Sequence, residues 1–237
     1  MEVAPHEKKL LGILGGMGPE AGLEFARILV EKTPARRDQD HIPFILLNYP
    51  RIPDRTDFIM GRGPDPVPLI VEGIGILQRA GATHIVIPCN TAHVFLERIK
   101  KASEVKIYDM IGAAAEFVKR EYPSVKRLGL LATKGTLISG IYEKYFDGYE
   151  LMAPEGEEQE KVHLAIYQGA KRSGMEDAVK PLIEVAENLI EQGAEGIILG
   201  CTEVEAALGR KALPVPSIKP MEALVEKILS SFLSNES

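Results

Sequence analysis

The chain repeats itself, and that repeat restricts its fold more than any other feature. Residues 81–92 read GATHIVIPCNTA and residues 193–204 read GAEGIILGCTEV. Gly, Ala, an Ile-rich run, Cys and Thr recur in order, and Cys89 and Cys201 are offset by 112 residues. Gly12-Ile-Leu…Gly18 is echoed by Gly129-Leu-Leu…Gly135 at an offset of 117. KIYDMIGA (106–113) and PSIKPMEA (216–223) form a third echo. Three echoes in one order indicate duplication of a structural unit.

The unit itself alternates strand and helix patterns. Leu10 to Leu14 is an apolar run ending in Gly15, Gly16 and Gly18, and Pro19 opens a helical pattern through Lys32. Strand patterns recur at Phe44–Leu47 and Ile85–Ile87, and helical ones at Pro68–Ala80 and Ala92–Ala102. Continuous apolar strands separated by helices predict parallel sheets covered on both faces. The expected fold is α/β, with two pseudo-symmetric domains, each a parallel sheet flanked by helices. Residues 1–108 with 217–237 are expected to form the first domain, and residues 109–216 the second. The last helix, Pro220 to Phe232, would return to the first domain. Ligands of such sheets bind beyond the carboxyl ends of the strands, where both cysteines fall. The active site is therefore expected in the cleft between the domains.

Composition removes several classes of function. A chain of 237 residues with 45% hydrophobic content has apolar mass for a real core, which excludes global disorder. A net charge of −6 gives no basic footprint, so no nucleic-acid partner is expected. No apolar run approaches the ~18 residues of a membrane span, and MEVAPHEKKL at the start does not resemble a secretory signal. A cytoplasmic protein with no membrane partner is expected. Two cysteines cannot build a disulfide scaffold or a cysteine-rich zinc site, so no metal is expected either. Gly16-x-Gly18-x-x-Ala21 partly matches a dinucleotide fingerprint. However, Leu47-Asn48-Tyr49 lacks the acidic residue that would hold the ribose, and Pro19 interrupts the loop.

A lone free cysteine is usually a small buried hydrophobe. These two instead sit between an apolar strand and a helix, beside Asn90-Thr91 and Thr202-Glu203. Free N–H groups at a helix start favour thiolate. Two thiols facing one ligand could exchange acid and base roles, one taking a proton from carbon while the other returns one. His93 lies in the turn after Cys89, but a lone histidine is more often structural, so it is left out of the catalytic set.

GILGGMGP (12–19), IPDRT (52–56), PCNTAH (88–93), LLATKGT (130–136) and GCTE (200–203) together resemble aspartate racemases of the aspartate/glutamate racemase superfamily. TPARRDQDH (33–41) and SGIYEKYF (139–146) extend the resemblance over nearly the whole chain. It implies a racemase of an acidic amino acid that uses no pyridoxal phosphate or other cofactor and works as a homodimer. It implies Cys89 and Cys201 as the acid/base pair, Arg55 on a substrate carboxylate, and Asn90, Thr91 and Ala92 on the substrate. Lys171 in IYQGAKRSG matches a further substrate-binding lysine. Met17 and Gly18 of the glycine loop, Thr133 and Thr136 of its counterpart, and Thr202 and Glu203 complete the candidate binding set. Glu203 stands where the glutamate-racemase branch has His. It either tunes Cys201 or stabilises a helix start, and both readings stay open. Two other functions remain: a non-catalytic two-domain binder of a small acid, and another cysteine-dependent isomerase or decarboxylase of the same superfamily.

Overall fold

The computed structural model of the protein describes residues 9–168 and 175–233. The first sheet contains β1 (Leu11–Gly15), β2 (Phe44–Asn48), β3 (His84–Val86) and β4 (Lys106–Ile107) in the order β2-β1-β3-β4. The second contains β5 (Arg127–Ala132), β6 (Glu150–Met152), β7 (Gly196–Gly200) and β8 (Ser217–Ile218) in the equivalent order β6-β5-β7-β8. Every pairing is parallel. All five residues of β1 and of β7 are buried, as parallel strands covered on both faces require.

The repeat is exact enough to preserve a steric detail. Gly12 pairs with Ile85 in the first sheet, and Gly129 pairs with Ile197 in the second. A Cβ on Gly12 would lie 2.6 Å from the Ile85 side chain, and one on Gly129 would lie 2.5 Å from Ile197. Each glycine thus makes room for the isoleucine of the neighbouring strand, at both sequence offsets.

Helices flank the first sheet: α1 (Pro19–Lys32), α2 (Arg55–Ile59), α3 (Val67–Arg79) and α4 (Leu96–Lys101). After α5 (Met110–Glu121), the second unit contributes α6 (Lys134–Ile138), α7 (Ile141–Tyr145), α8 (Gly156–Leu164), α9 (Met175–Glu191) and α10 (Thr202–Leu208). Pro19 opens α1, and the Asp54, Asp109 and Thr133 side chains cap α2, α5 and α6 by accepting backbone N–H groups. The chain leaves the second sheet at β8 and ends in α11 (Pro220–Leu233). There Met221, Leu224, Val225, Ile228 and Phe232 share one core with Leu11 and Ile13 of β1 and Phe25 of α1. Among the described residues no helix is long and apolar enough to cross a membrane.

The helix expected over residues 92–102 is different in kind. Thr91–Phe95 is a 3-10 segment, and regular α-helix begins only at Leu96. In an α-helix the Cys89 carbonyl would accept from the backbone N–H of His93. Here the His93 ring donates to that carbonyl from Nδ1 at 2.9 Å, while the His93 N–H turns to Asn90 O at 3.0 Å. The side chain has taken over a main-chain bond.

Candidate active site

The site lies at the carboxyl ends of both sheets. Cys89 follows β3, and Cys201 follows β7 as the residue preceding α10. Neither cysteine forms a disulfide; both are buried, and both line one narrow cavity. Met17, Arg55, Asn90, Thr91, Thr133, Thr202 and Glu203 line it as well. The cavity therefore gathers residues from both halves of the chain. A neighbouring pocket that shares Asp54, Arg55 and Glu203 with it is lined by Gly16, Gly18, Pro50 and Ile52. Gly16 has φ +100°, and a Cβ there would lie 2.3 Å from the Tyr49 backbone, so only glycine fits this turn.

Arg55 opens α2 and is buried to 7% exposure. Its Nη1 donates to Pro53 O at 3.0 Å, and its buried Nε has no hydrogen-bond partner. Burial opposes the guanidinium charge, but Cys89 and Asp54 outweigh it and hold the group more firmly cationic than usual. Asn90 is similarly half used. Its Oδ1 accepts from the Tyr142 hydroxyl at 2.7 Å, while its buried Nδ2 is unpartnered. A buried donor without an acceptor is costly, and ligand sites are where such donors accumulate.

Glu203 stands in the first turn of α10 and also meets the thiol. The Cys201 thiol donates to Glu203 Oε2 at 2.9 Å, and the Thr202 hydroxyl donates to the same oxygen at 3.0 Å. Glu203 Oε1 accepts from the Gly18 N–H at 3.3 Å, across 185 residues of sequence. This carboxylate joins a thiol to the opposite half of the molecule. The equivalent residue in the first unit, Thr91, also reaches across. Its hydroxyl lies 3.0 Å from that of Thr133 and 2.9 Å from that of Thr136. The pseudo-two-fold relation of the repeats is thus expressed in hydrogen bonds as well as strand order.

Three residues at the site are not among the candidates that the sequence singles out. Tyr167 and Asp54 line the cavity, and the Tyr167 hydroxyl donates to the Asp54 carboxylate at 3.0 and 3.2 Å. Burial raises the Tyr167 pKa, which keeps that hydroxyl a donor. Thr56 donates to Thr133 at 3.3 Å. Asp54 and Thr56 flank Arg55 and could have been noticed as part of IPDRT. Tyr167 had no such cue.

Three described candidates lie off the cavity wall: Gly18, whose N–H meets Glu203, together with Ala92 and Thr136. Ala92 packs among Ile85, Ile87 and Phe95 in the hydrophobic core, and Thr136 stands behind Thr133 in the threonine cluster. Lys171 falls outside the described residues. Among the described residues, no group of three or more His, Cys, Asp or Glu is arranged to hold a metal ion.

Two parallel α/β lobes of equivalent strand order each place one cysteine on a shared cavity, an architecture that the racemase-fold proteins below also have as a fold. The chain belongs to the Asp/Glu/hydantoin racemase family, whose model matches residues 14–228. It is 27% identical over 243 residues to the broad specificity amino-acid racemase RacX of Bacillus subtilis (strain 168), covering 96% of this chain and 100% of that protein. Its structure matches the Picrophilus torridus aspartate racemase with TM-score 0.82 and 28% identity, over 94% of each chain. A glutamate racemase, isoform RacE1 of Bacillus anthracis, shares the fold with TM-score 0.67 at 17% identity, over 96% of this chain and 84% of that one.

Proposed function

We propose that this protein racemises an acidic amino acid, aspartate first among them, by proton transfer between the substrate Cα and two cysteines. The observation that carries this reading is the pair of buried, disulfide-free cysteines on one cavity, with a buried cationic Arg55 beside them. One cysteine, as thiolate, removes the Cα proton. The electron pair passes onto the α-carboxylate as an enediolate, and the thiol on the other face delivers its proton to Cα. The product is the mirror image, and the protonation states of the two cysteines have exchanged.

The Cα proton is far less acidic than a thiol, so the intermediate needs electrostatic stabilisation. Arg55 supplies a fixed positive charge, and its free Nε and the Asn90 Nδ2 are donors for carboxylate oxygens. Tyr167, Asp54 and Glu203 add polar groups for the remainder of the substrate. Both cysteines must stay reduced to move protons, which fits a cytoplasmic setting.

A broader amino-acid range is the second reading, favoured by the similarity to RacX along almost the entire chain. One assay separates the two. The protein is incubated in heavy water, without pyridoxal phosphate, with each of a panel of L-amino acids. Aspartate should gain deuterium at Cα and appear as the D-form, while apolar amino acids should not. Cys89→Ser and Cys201→Ser should each abolish racemisation. A wild-type protein that leaves aspartate and glutamate unexchanged would sink the proposal.

A further inference from the structure

The two residues four positions after the cysteines are His93 and Glu205. Both are buried, at 2% and 4% exposure, and neither lines the cavity. They nevertheless occupy equivalent places and make equivalent bonds. His93 Nε2 accepts from the backbone N–H of Met110, the first residue of α5, at 3.0 Å. Glu205 accepts from Met221 N at 2.9 Å through Oε2 and from Glu222 N at 3.2 Å through Oε1, both in the first turn of α11. Met110 corresponds to Pro220 in the repeat, so the bonds fall on the first residue of α5 and, because proline has no N–H, on the second and third residues of α11. Each buried side chain therefore satisfies the otherwise orphaned N–H groups of the helix that follows the next strand.

Each is also tied to its own cysteine, His93 through its side chain and Glu205 through its main chain. His93 donates from Nδ1 to the Cys89 carbonyl at 2.9 Å, and the Glu205 N–H donates to the Cys201 carbonyl at 2.9 Å. The ring bonds fix the neutral tautomer with hydrogen on Nδ1, and burial lowers the His93 pKa in the same direction. The difference between the repeats follows from this chemistry. The His93 ring displaces a helical bond and leaves Cys89 before a 3-10 turn, whereas Glu205 leaves the bond in place and Cys201 precedes a regular helix.

We propose that His93 and Glu205 are a pseudo-symmetric pair of positioning residues, each setting the location of one cysteine by anchoring the turn behind it to the start of the following helix, His93 through its ring alone and Glu205 through its carboxylate and its own backbone. The proposal rests on the two-cysteine reading for its catalytic consequence, but not for its geometric one. His93 would govern Cys89 alone, and Glu205 would govern Cys201 alone.

The test uses His93→Gln, His93→Leu and Glu205→Gln in the full-length protein, with two measurements. In the first, the alkylation rate of each cysteine by iodoacetamide is followed by peptide mass spectrometry. His93 variants should change the rate at Cys89 while leaving Cys201 within about twofold, and Glu205→Gln should do the reverse. Equal changes at both thiols, or at neither, would overturn the proposal whether or not the protein proves to be a racemase. In the second, the deuterium isotope effect on kcat/KM is measured for each enantiomer of aspartate labelled at Cα. Equilibrium requires kcat/KM to fall equally in both directions, by about tenfold for one barrier raised by about 1.4 kcal/mol. The isotope effect should rise for the enantiomer whose proton the affected cysteine removes, and shrink for the other. His93 and Glu205 variants should show opposite enantiomers rising. His93→Gln, which retains an acceptor near Nε2, should be milder than His93→Leu. General loosening would lower activity and leave the two isotope effects in their wild-type ratio, which would also refute the assignment.

Discussion

Replacing Gly135 by alanine forces the two lobes apart where they meet behind the cavity. A Cβ on Gly135 would lie 2.7 Å from Thr56 Oγ1 and 2.8 Å from Thr56 Cα. Comfortable carbon contacts begin at about 3.5 Å, so α2 and α6 must separate by about 0.7 Å. The Thr56 hydroxyl can rotate away, but its Cα cannot. Gly135 does not have a positive φ, so crowding accounts for the whole cost. Overpacking of this kind costs about 1–3 kcal/mol. In a chain of this size that lowers Tm by about 2–12 °C. The same displacement stretches the 3.3 Å bond between Thr56 and Thr133 and shifts Arg55 relative to Cys201. A shift near 1 Å in reacting geometry costs about a hundredfold in rate. The assay pairs thermal unfolding with Cα deuterium exchange of aspartate. Gly75→Ala is the control, because a Cβ there meets only the flexible end of Arg79 at 3.4 Å inside α3. That variant should gain about 0.5–1 kcal/mol and keep its exchange rate. A Gly135→Ala protein with wild-type Tm and wild-type exchange would refute the reasoning.

Other variants probe single bonds. Glu203→Gln removes a negative charge that accepts from the Cys201 thiol, and should speed iodoacetamide alkylation of Cys201 about fivefold, the equivalent of about 1 kcal/mol between charges 4 Å apart in water. Unchanged alkylation would mean that the carboxylate does not act on the thiol. Tyr167→Phe deletes the bond to Asp54 that spans the cleft and should raise KM for aspartate about tenfold, or about 1.4 kcal/mol, so an unchanged KM counts against a role in substrate binding. Burial pushes the Glu205 carboxyl from 4.5 up to about 8, despite the amides of Met221 and Glu222 and the charge of Lys219 that pull it down. Between those values the folded protein keeps a proton that the unfolded chain has lost. Its contribution is therefore complete below about pH 4.5 and declines as pH rises to 8, by at most about 1.4 kcal/mol per pH unit. Glu205→Gln should flatten Tm against pH between 5 and 8, and an unchanged slope would contradict this assignment of the proton.

Much of the site was legible because it is written twice. The strand-Cys-Thr pattern located both thiols without any knowledge of the chain's path. Arg55 was legible through IPDRT, although nothing local distinguished it from a solvated loop arginine. Glu203 was ambiguous for a physical reason: a carboxylate in a first helical turn looks the same whether it stabilises the helix or holds a thiol. His93 was set aside as structural, yet its ring determines the shape of the turn behind Cys89. That effect was invisible because it depends on Met110 being delivered to Nε2 from 17 residues away.

The sequence by itself determined the alternation of strands and helices, the duplication, and the place of each cysteine at a strand end. These follow from local periodicity and from self-similarity, which need no knowledge of long-range contact. Only the tertiary structure decided which side chains share the cavity. Tyr167 reaches Asp54 across 113 residues, Thr91 reaches Thr136 across 45, and Glu203 reaches Gly18 across 185. It also revealed that a histidine and a glutamate, chemically unlike, hold equivalent places behind the two thiols. The repeat offset pairs the two positions, but only hydrogen-bonding geometry shows a shared task, because a neutral imidazole and a carboxyl group can both accept from a helix start.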